Sequence, residues 1–195
     1  MSQGAIFLDR DGTMIEDVGY LNRVENIAFF PWTIDAVRAL NRTGLPVVVV
    51  TNQSAIARGH LTEPGLAVIH QAMTAALEAG GARVATYYYC PHHPDGPVAA
   101  YTAVCGCRKP ARGLIDRAVR DLNLDPARSV VVGDKWVDVV LARAVGARAV
   151  LVRTGYGAGE EAAPLPDVHA DAIVDNLAAA ASWILRNLTF HARQC

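Results

Sequence analysis

The chain lacks most of what would mark a membrane, secreted or nucleic-acid-binding protein. It has no run of roughly 18 apolar residues, which excludes an ordinary membrane-spanning helix. The first apolar stretch, Ala5-Ile6-Phe7-Leu8, follows no basic segment and is cut short by Asp9, Arg10 and Asp11, so it does not read as a secretory leader. Neither sign of charge dominates: 18 Lys and Arg stand against 19 Asp and Glu, a net charge of −1. With no stripe of basic and aromatic residues either, a polyanionic partner is not indicated. Cysteine is scarce at four residues, and Cys90, Cys105 and Cys107 cluster while Cys195 ends the chain. That is not the distribution of a disulfide framework. There are no repeats and no low-complexity tracts. The expected protein is cytoplasmic, where thiols stay reduced, with a small molecule rather than a nucleic acid or membrane as its partner, and monomeric.

What is present is 52% hydrophobic in 195 residues, enough for one domain over residues 1–195 with a proper core. Apolar runs alternate with segments of helical spacing. Ala5–Leu8, Leu45–Val50, Val84–Tyr89, Ser129–Val132 and Ala149–Val152 read as strands, with Ala170–Val174 as a last short one. Between them, helices are predicted from Pro31, from Thr62 (N-cap) to Ala79 before Gly80-Gly81, over Gly113–Leu122 and over Val137–Ala144. A terminal helix is predicted over Asn176–Leu188, and the tail to Cys195 reads as frayed. Glu16–Phe30 and Ala158–Pro166 read as surface loops, and residues 90–110 as a cysteine-bearing insertion too long for a simple connection. The predicted fold is α/β: a three-layer, Rossmann-like parallel sheet with helices on both faces and no large cap domain.

In such sheets ligands bind beyond the carboxyl ends of the strands, and three polar clusters fall there. The first is Asp9-Arg10-Asp11-Gly12, where the glycine permits a turn that brings both carboxylates to one small volume. Two close carboxylates repel unless a cation or shared proton relieves them, and Mg²⁺ relieves them while leaving room for a phosphate. A calcium loop is the poorer reading, because its glycine falls at the sixth position after a helix. The second cluster is Thr51-Asn52-Gln53-Ser54, a set of candidate phosphate or substrate ligands. The third is Asp134-Lys135, and Asp134 equally suits a helix N-cap. Together they suit phosphoryl transfer, which needs charge neutralisation, an in-line nucleophile and a proton donor. Asp9 is the candidate nucleophile and Asp11 the acid/base. Mg²⁺ is assigned to Asp9, Asp11 and Asp134, and Lys109 supplies a fixed positive charge. Asp138 reads as orienting Lys135 or metal-bound water, or as an exposed helix acid.

FLDRDGT, VVTNQS, CRKP and VVGDKWVDV, in that order, resemble the four motifs of haloacid-dehalogenase-type phosphatases over about Gly4–Gly155. The resemblance implies the same roles for Asp9, Asp11, Thr51, Lys109 and Asp134. The insertion adds C-x-H-x12-C-x-C, from Cys90, His92, Cys105 and Cys107, a four-ligand set for structural zinc. His92 suits better than His93, since its spacing repeats that of Cys105 and Cys107. A zinc loop directly before Arg-Lys-Pro is similar to that of the D,D-heptose bisphosphate phosphatases and, more distantly, the histidinol-phosphate phosphatases. The implied reaction is Mg²⁺-dependent removal of the C7 phosphate from a heptose 1,7-bisphosphate. Arg108, helped by Arg58, is expected to hold the second phosphate. Ala55 departs from the glycine expected after TNQS. The alternatives are a histidinol-phosphate phosphatase and, in a different class, a zinc-loop binding module without catalysis.

Overall fold

The computed structural model describes residues 2–188; the tail to Cys195 lies outside them. Six parallel strands form one sheet: β1 (Ile6–Leu8), β2 (Val47–Asn52), β3 (Thr86–Cys90), β4 (Val130–Gly133), β5 (Arg148–Val152) and β6 (Ala172–Val174). Their spatial order is β3-β2-β1-β4-β5-β6, the doubly wound arrangement whose order reverses between its two halves. The reversal lies between β1 and β4, so the two segments that leave these strands, Asp9 onward and Asp134 onward, open the ligand crevice together.

The β-branched runs are apolar throughout because both faces are covered. Ile6, Leu8, Val47 and Val49 pack beneath α1 (Thr33–Asn41), α2 (Glu63–Ala79) and α6 (Leu177–Leu188). Phe7, Val48 and Val50, one residue out of step, pack beneath α3 (Gly113–Leu122) and α4 (Trp136–Val145). Thr62 caps α2 as expected, its Oγ1 accepting from the Gly65 amide at 3.2 Å. β2 runs two residues past its predicted end, because pairing with β3 continues through Thr51↔Tyr89 and Asn52↔Cys90.

One loop reading is corrected. Within 158–166, α5 (Gly157–Ala162) forms. Its small and acidic residues carry no core pattern, and tertiary hydrogen bonds supply what the sequence does not advertise. Lys135 gives α4 no side-chain cap, so the first amide of α4, from Trp136, donates to Glu160 Oε2 at 2.7 Å. The Trp136 indole donates to the Glu160 carbonyl at 2.7 Å. The Glu16–Phe30 segment is also less open than predicted: a 3-10 turn at Val24–Asn26 and an Ile15–Phe29 bridge fold it over the crevice. No separate cap domain is present among the described residues.

Candidate active site

Asp9 is placed by the sheet itself. Its amide continues the β1 ladder, donating to Val132 O at 2.9 Å, and its carboxylate accepts from the Arg10 amide at 2.7 Å. The chain then turns at Gly12, whose φ of +78° favours glycine. A Cβ there would sit 2.2 Å from Asp134 Oδ2, and one at Gly155, φ +58°, would sit equally close. The two glycines are what let the loops after β1 and β5 close on Asp134. That carboxylate is fully buried; its Oδ2 accepts from the Tyr156 amide at 2.9 Å and its Oδ1 has no partner. Burial, then the Asp9 charge, push its pKa up to about 7.

Lys109 faces this cluster from below. Its Nζ lies 2.6 Å from Asp138, 2.8 Å from Asp9 and 3.0 Å from Val50 O. Burial alone would drive its pKa down, but Asp138 and Asp9 outweigh it and the pKa is raised. Asp138 is therefore neither an exposed helix acid nor the partner of Lys135: it is buried and locks Lys109. Burial pushes its pKa up to about 6 against the Lys109 charge. Lys135 instead reaches Asp17 at 3.4 Å and lies 4.1 Å from the Tyr156 ring centroid.

Asp9, Asp134 and Asp138 each offer an oxygen within 4.8 Å of the others. Lys109 pairs with two of these three buried carboxylates, and Asp134 Oδ1 is orphaned, so the residues fit a hard cation. The carboxylate of Asp11, assigned to magnesium from the sequence, is not among the three. The fully buried Arg10 guanidinium needs an anion and takes Asp11 at 2.9 Å, while Gln53 Nε2 donates to the same carboxylate at 2.9 Å. Arg10 also donates to Gln53 Oε1 at 2.9 Å and lies 3.4 Å from His70 Nε2. Burial, then the Arg10 charge, hold the His70 pKa down at about 3.

The polar cluster after β2 divides its work. Thr51 Oγ1 accepts from Gln53 at 2.8 Å, which leaves its own hydroxyl proton to donate. Asn52 is committed to the Lys109 backbone, accepting from its amide at 2.9 Å and donating to its carbonyl at 3.1 Å. Ser54 and Ala55 line the cavity, about 280 Å³, together with Asp9, Asp11, Arg108 and Lys135. Arg108 donates to His92 O at 3.3 Å.

Cys90, His92, Cys105 and Cys107 converge as their spacing predicts. The three sulfurs are 3.2–3.5 Å apart, and His92 Nδ1 lies 3.4 Å from Cys107 Sγ and 3.7 Å from Cys90 Sγ. A disulfide needs about 2.05 Å, whereas ligands at about 2.3 Å (S) and 2.0 Å (N) from a tetrahedral centre stand roughly 3.5–3.8 Å apart. The cluster is thus close to a closed four-ligand site. Sequence reasoning missed Asp17, His70 and the Tyr156 amide. Of these, a main-chain donor such as the Tyr156 amide leaves no residue-type signal at all.

Carboxylates at the switch point of a doubly wound sheet, with a threonine and a further aspartate at neighbouring strand ends and a lysine reaching in from the loop before α3, define a haloacid dehalogenase-like hydrolase. A family model described as "HAD-hyrolase-like" matches residues 106–180. The chain is 42% identical to D-glycero-beta-D-manno-heptose-1,7-bisphosphate 7-phosphatase of Yersinia pestis, over 94% of this chain and 90% of that protein. It is 43% identical to the protein of that name in Escherichia coli K12, over 94% and 89%. A crystal structure of D,D-heptose 1,7-bisphosphate phosphatase from B. bronchiseptica, complexed with magnesium and phosphate, superposes with a TM-score of 0.83 at 32% identity, over 94% of this chain and 99% of that one. The chain belongs to the heptose-bisphosphate phosphatase family of haloacid dehalogenase-like hydrolases.

Proposed function

We propose that this protein is a phosphomonoesterase that removes the C7 phosphate of D-glycero-D-manno-heptose 1,7-bisphosphate through an aspartyl-phosphate intermediate. The observation that carries the reading is the Asp9 carboxylate, held 2.8 Å from Lys109 and open to a cavity edged by Thr51 and Arg108. An Asp9 oxygen attacks phosphorus as the bond to the sugar oxygen breaks, and protonated Asp11 delivers its proton to that leaving oxygen. Water then attacks the aspartyl phosphate while Asp11 takes a proton back. Inorganic phosphate and the sugar 1-phosphate leave, and Asp9 is restored. Lys109 and the Thr51 hydroxyl balance charge on the phosphoryl oxygens.

Asp9 and the orphaned Asp134 would hold Mg²⁺, which when bound offsets the charge of phosphate and carboxylates together. Cys90, His92, Cys105 and Cys107 would hold structural zinc, giving a loop without a core of its own a fixed shape. The three thiols among the described residues, unpaired with one another, suit a reducing, cytoplasmic compartment. The same reading takes the chain as one domain acting as a monomer on a small molecule.

The test is phosphate release from both anomers of the heptose bisphosphate, histidinol phosphate and fructose 1,6-bisphosphate. The heptose bisphosphate should be preferred, since the Arg108 charge at the cavity edge favours a second anion over a cation. Arg108→Ala should cost about 10²-fold in kcat/KM on the bisphosphate, a lost charge-assisted contact, and much less on a small monoester. Preference for histidinol phosphate, or equal losses on both substrates with the metal loop intact, would overturn the reading.

A further inference from the structure

The segment that leaves β5 sits outside the reaction cavity: none of Thr154, Gly155 and Tyr156 lines it. Yet these three residues touch both loops that meet at the carboxylate cluster. The Thr154 hydroxyl donates to Gly12 O at 2.6 Å, on the loop that carries Asp9 and Asp11. Two residues on, the Tyr156 amide donates to Asp134 Oδ2 at 2.9 Å. Gly155 lies between them, and a Cβ on it would fall 2.2 Å from Asp134 Oδ2 and 2.6 Å from Gly12 Cα. The loop after β5 is thus wedged between the loops after β1 and β4 and bonded to each.

The wedge is itself held in shape. Gly157 N donates to Thr154 O at 2.9 Å and Ala158 N to Arg153 O at 3.2 Å, which closes the turn into α5. Glu160 then bonds α5 to the start of α4 through the Trp136 amide and indole. On the other side Arg153 pairs with Glu161 at 2.6 Å and with Asp175 at 2.7 Å. A segment fixed in this way can impose a distance on what it touches. On the β1 side the Gly12 amide is already spent on Ile15 O at 2.8 Å, so Thr154 ties the carbonyl of that peptide to a different strand's loop. On the β4 side, Oδ2 of Asp134 is taken by the Tyr156 amide, and Oδ1 is the oxygen left without a partner. That oxygen is the one free to meet a cation.

We propose that Thr154 is a positioning residue which, with Gly155 and the Tyr156 amide, sets the separation of the Asp9 loop from Asp134 and thereby the affinity for the divalent cation. Thr154 touches neither the substrate cavity nor a carboxylate of the cluster; it acts through Gly12. Groups that orient metal ligands from behind typically change metal affinity by about 10- to 100-fold, because ligands already in place lose little freedom when the ion arrives. The inference rests on the Mg²⁺ reading above and extends it, since it makes a segment with no motif of its own part of what holds the ion.

The measurement is Mn²⁺ binding to the purified protein without substrate, read from loss of the free-ion electron paramagnetic resonance signal. Thr154→Val removes the hydroxyl at nearly constant volume and should weaken Mn²⁺ binding about tenfold. Thr154→Ser restores the donor and should recover most of that loss. Turnover should follow the same split: kcat/KM of Thr154→Val falls at low Mg²⁺ and returns at saturating Mg²⁺. Ser129→Ala is the control for general loosening. Its hydroxyl donates to Asp125 O at 2.7 Å and accepts from the Ala5 amide at 2.9 Å, at the opposite, N-terminal ends of β4 and β1. That variant should lower the melting midpoint and leave Mn²⁺ affinity unchanged. If Thr154→Val does not fold, Thr154→Ala carries the same expectation. A wild-type protein that binds no Mn²⁺ would remove the cation reading and this inference with it. Wild-type Mn²⁺ affinity in Thr154→Val, or an equal weakening in Ser129→Ala, would remove the inference alone.

Discussion

Among the described residues two clusters of side chains could hold a metal, Lys109 links them by following Cys107 in the chain and reaching Asp9 and Asp138, and they are built on opposite plans. Asp9, Asp134 and Asp138 follow or flank buried strands, and the sheet would hold them in place with no ion at all. Between Cys90 and Lys109 the one buried apolar side chain is Pro91, and Val104 is 91% exposed. There a metal on the proposed ligands would hold the loop, rather than the loop the ligands. Lys109 is where the plans meet: its backbone is clamped by Asn52 on β2, and its amine reaches across to Asp9 and Asp138. On the proposed reading one cluster stakes chemistry on the fold, while the other stakes local folding on its own ligands.

Two variants should separate these plans. Asp9→Asn removes the proposed nucleophile and should reduce turnover by about 10⁴-fold or more. Lys109 keeps Asp138, so the thermal midpoint should move by only a few degrees. Steady-state kinetics beside a melting curve reads both, and residual activity above a few per cent would deny Asp9 its role. Cys107→Ser should act in the reverse order. Opening the tetrahedron should drop bound zinc well below one per chain and loosen the loop, and displacing Lys109 by an ångström would cost roughly 10²-fold in turnover. Metal analysis after dialysis, with proteolysis inside 91–108, checks the sequence of events. Full activity in a zinc-free Cys107→Ser protein would erase the contrast.

The carboxylate cluster was largely legible from the residues, because apolar strands announce their own ends and polar residues at those ends must face the crevice. Asp9, Thr51, Lys109 and Asp134 all arrive where the spacing put them. So do Cys90, His92, Cys105 and Cys107, since ligand spacing is a local property. What escaped depends on partners distant in sequence. The amide of Asn52 looks free for phosphate until residue 109 folds against it. Asp138 looks like a solvated helix acid until α4 presses it onto Lys109. Asp11 looks like a metal ligand until Arg10, buried between β1 and α2, claims its charge. α5 has no apolar stripe to read, since hydrogen bonds to Trp136 anchor it.

Asp138→Asn sharpens the comparison from within the sheet-held cluster. The amide can still accept from Lys109, but the charge that balanced it is gone. Lys109 should then lean harder on Asp9 and make that oxygen a poorer nucleophile. A fall of roughly 10- to 100-fold in kcat is expected, about the worth of one charge-assisted bond, with stability lowered by about 2 kcal/mol for a weakened buried pair. Urea titration and kcat together decide it. An unchanged kcat would mean that Val50 O and Asp9 suffice to orient the lysine.

The smallest effect belongs to His70, which supports the Asp9–Asp11 loop from behind and should connect that loop's stability to pH. Its ring stacks on Tyr87 at 4.3 Å between centroids and presents Nε2 to Arg10 at 3.4 Å. Facing a guanidinium, Nε2 must be the acceptor, so the ring is neutral with its proton on Nδ1. Its pKa is held at about 3, well below the ordinary 6.5 of histidine. The folded state therefore binds fewer protons than the unfolded state below pH 6.5, and stability contributed by neutral His70 is complete above that pH and lost as pH falls toward 3. The slope is at most about 1.4 kcal/mol per pH unit. His70→Gln keeps an acceptor for Arg10 but cannot take up the proton. At pH 7.5 it should be less stable than wild type by about 1 kcal/mol, the worth of the lost ring stack. By pH 5 the deficit should have closed or reversed, because wild type alone has been losing stability over the interval. Urea midpoints at the two pH values provide the comparison. A deficit that stays constant between them would mean that His70 does not titrate on unfolding, and that the acid sensitivity of the site lies with its carboxylates.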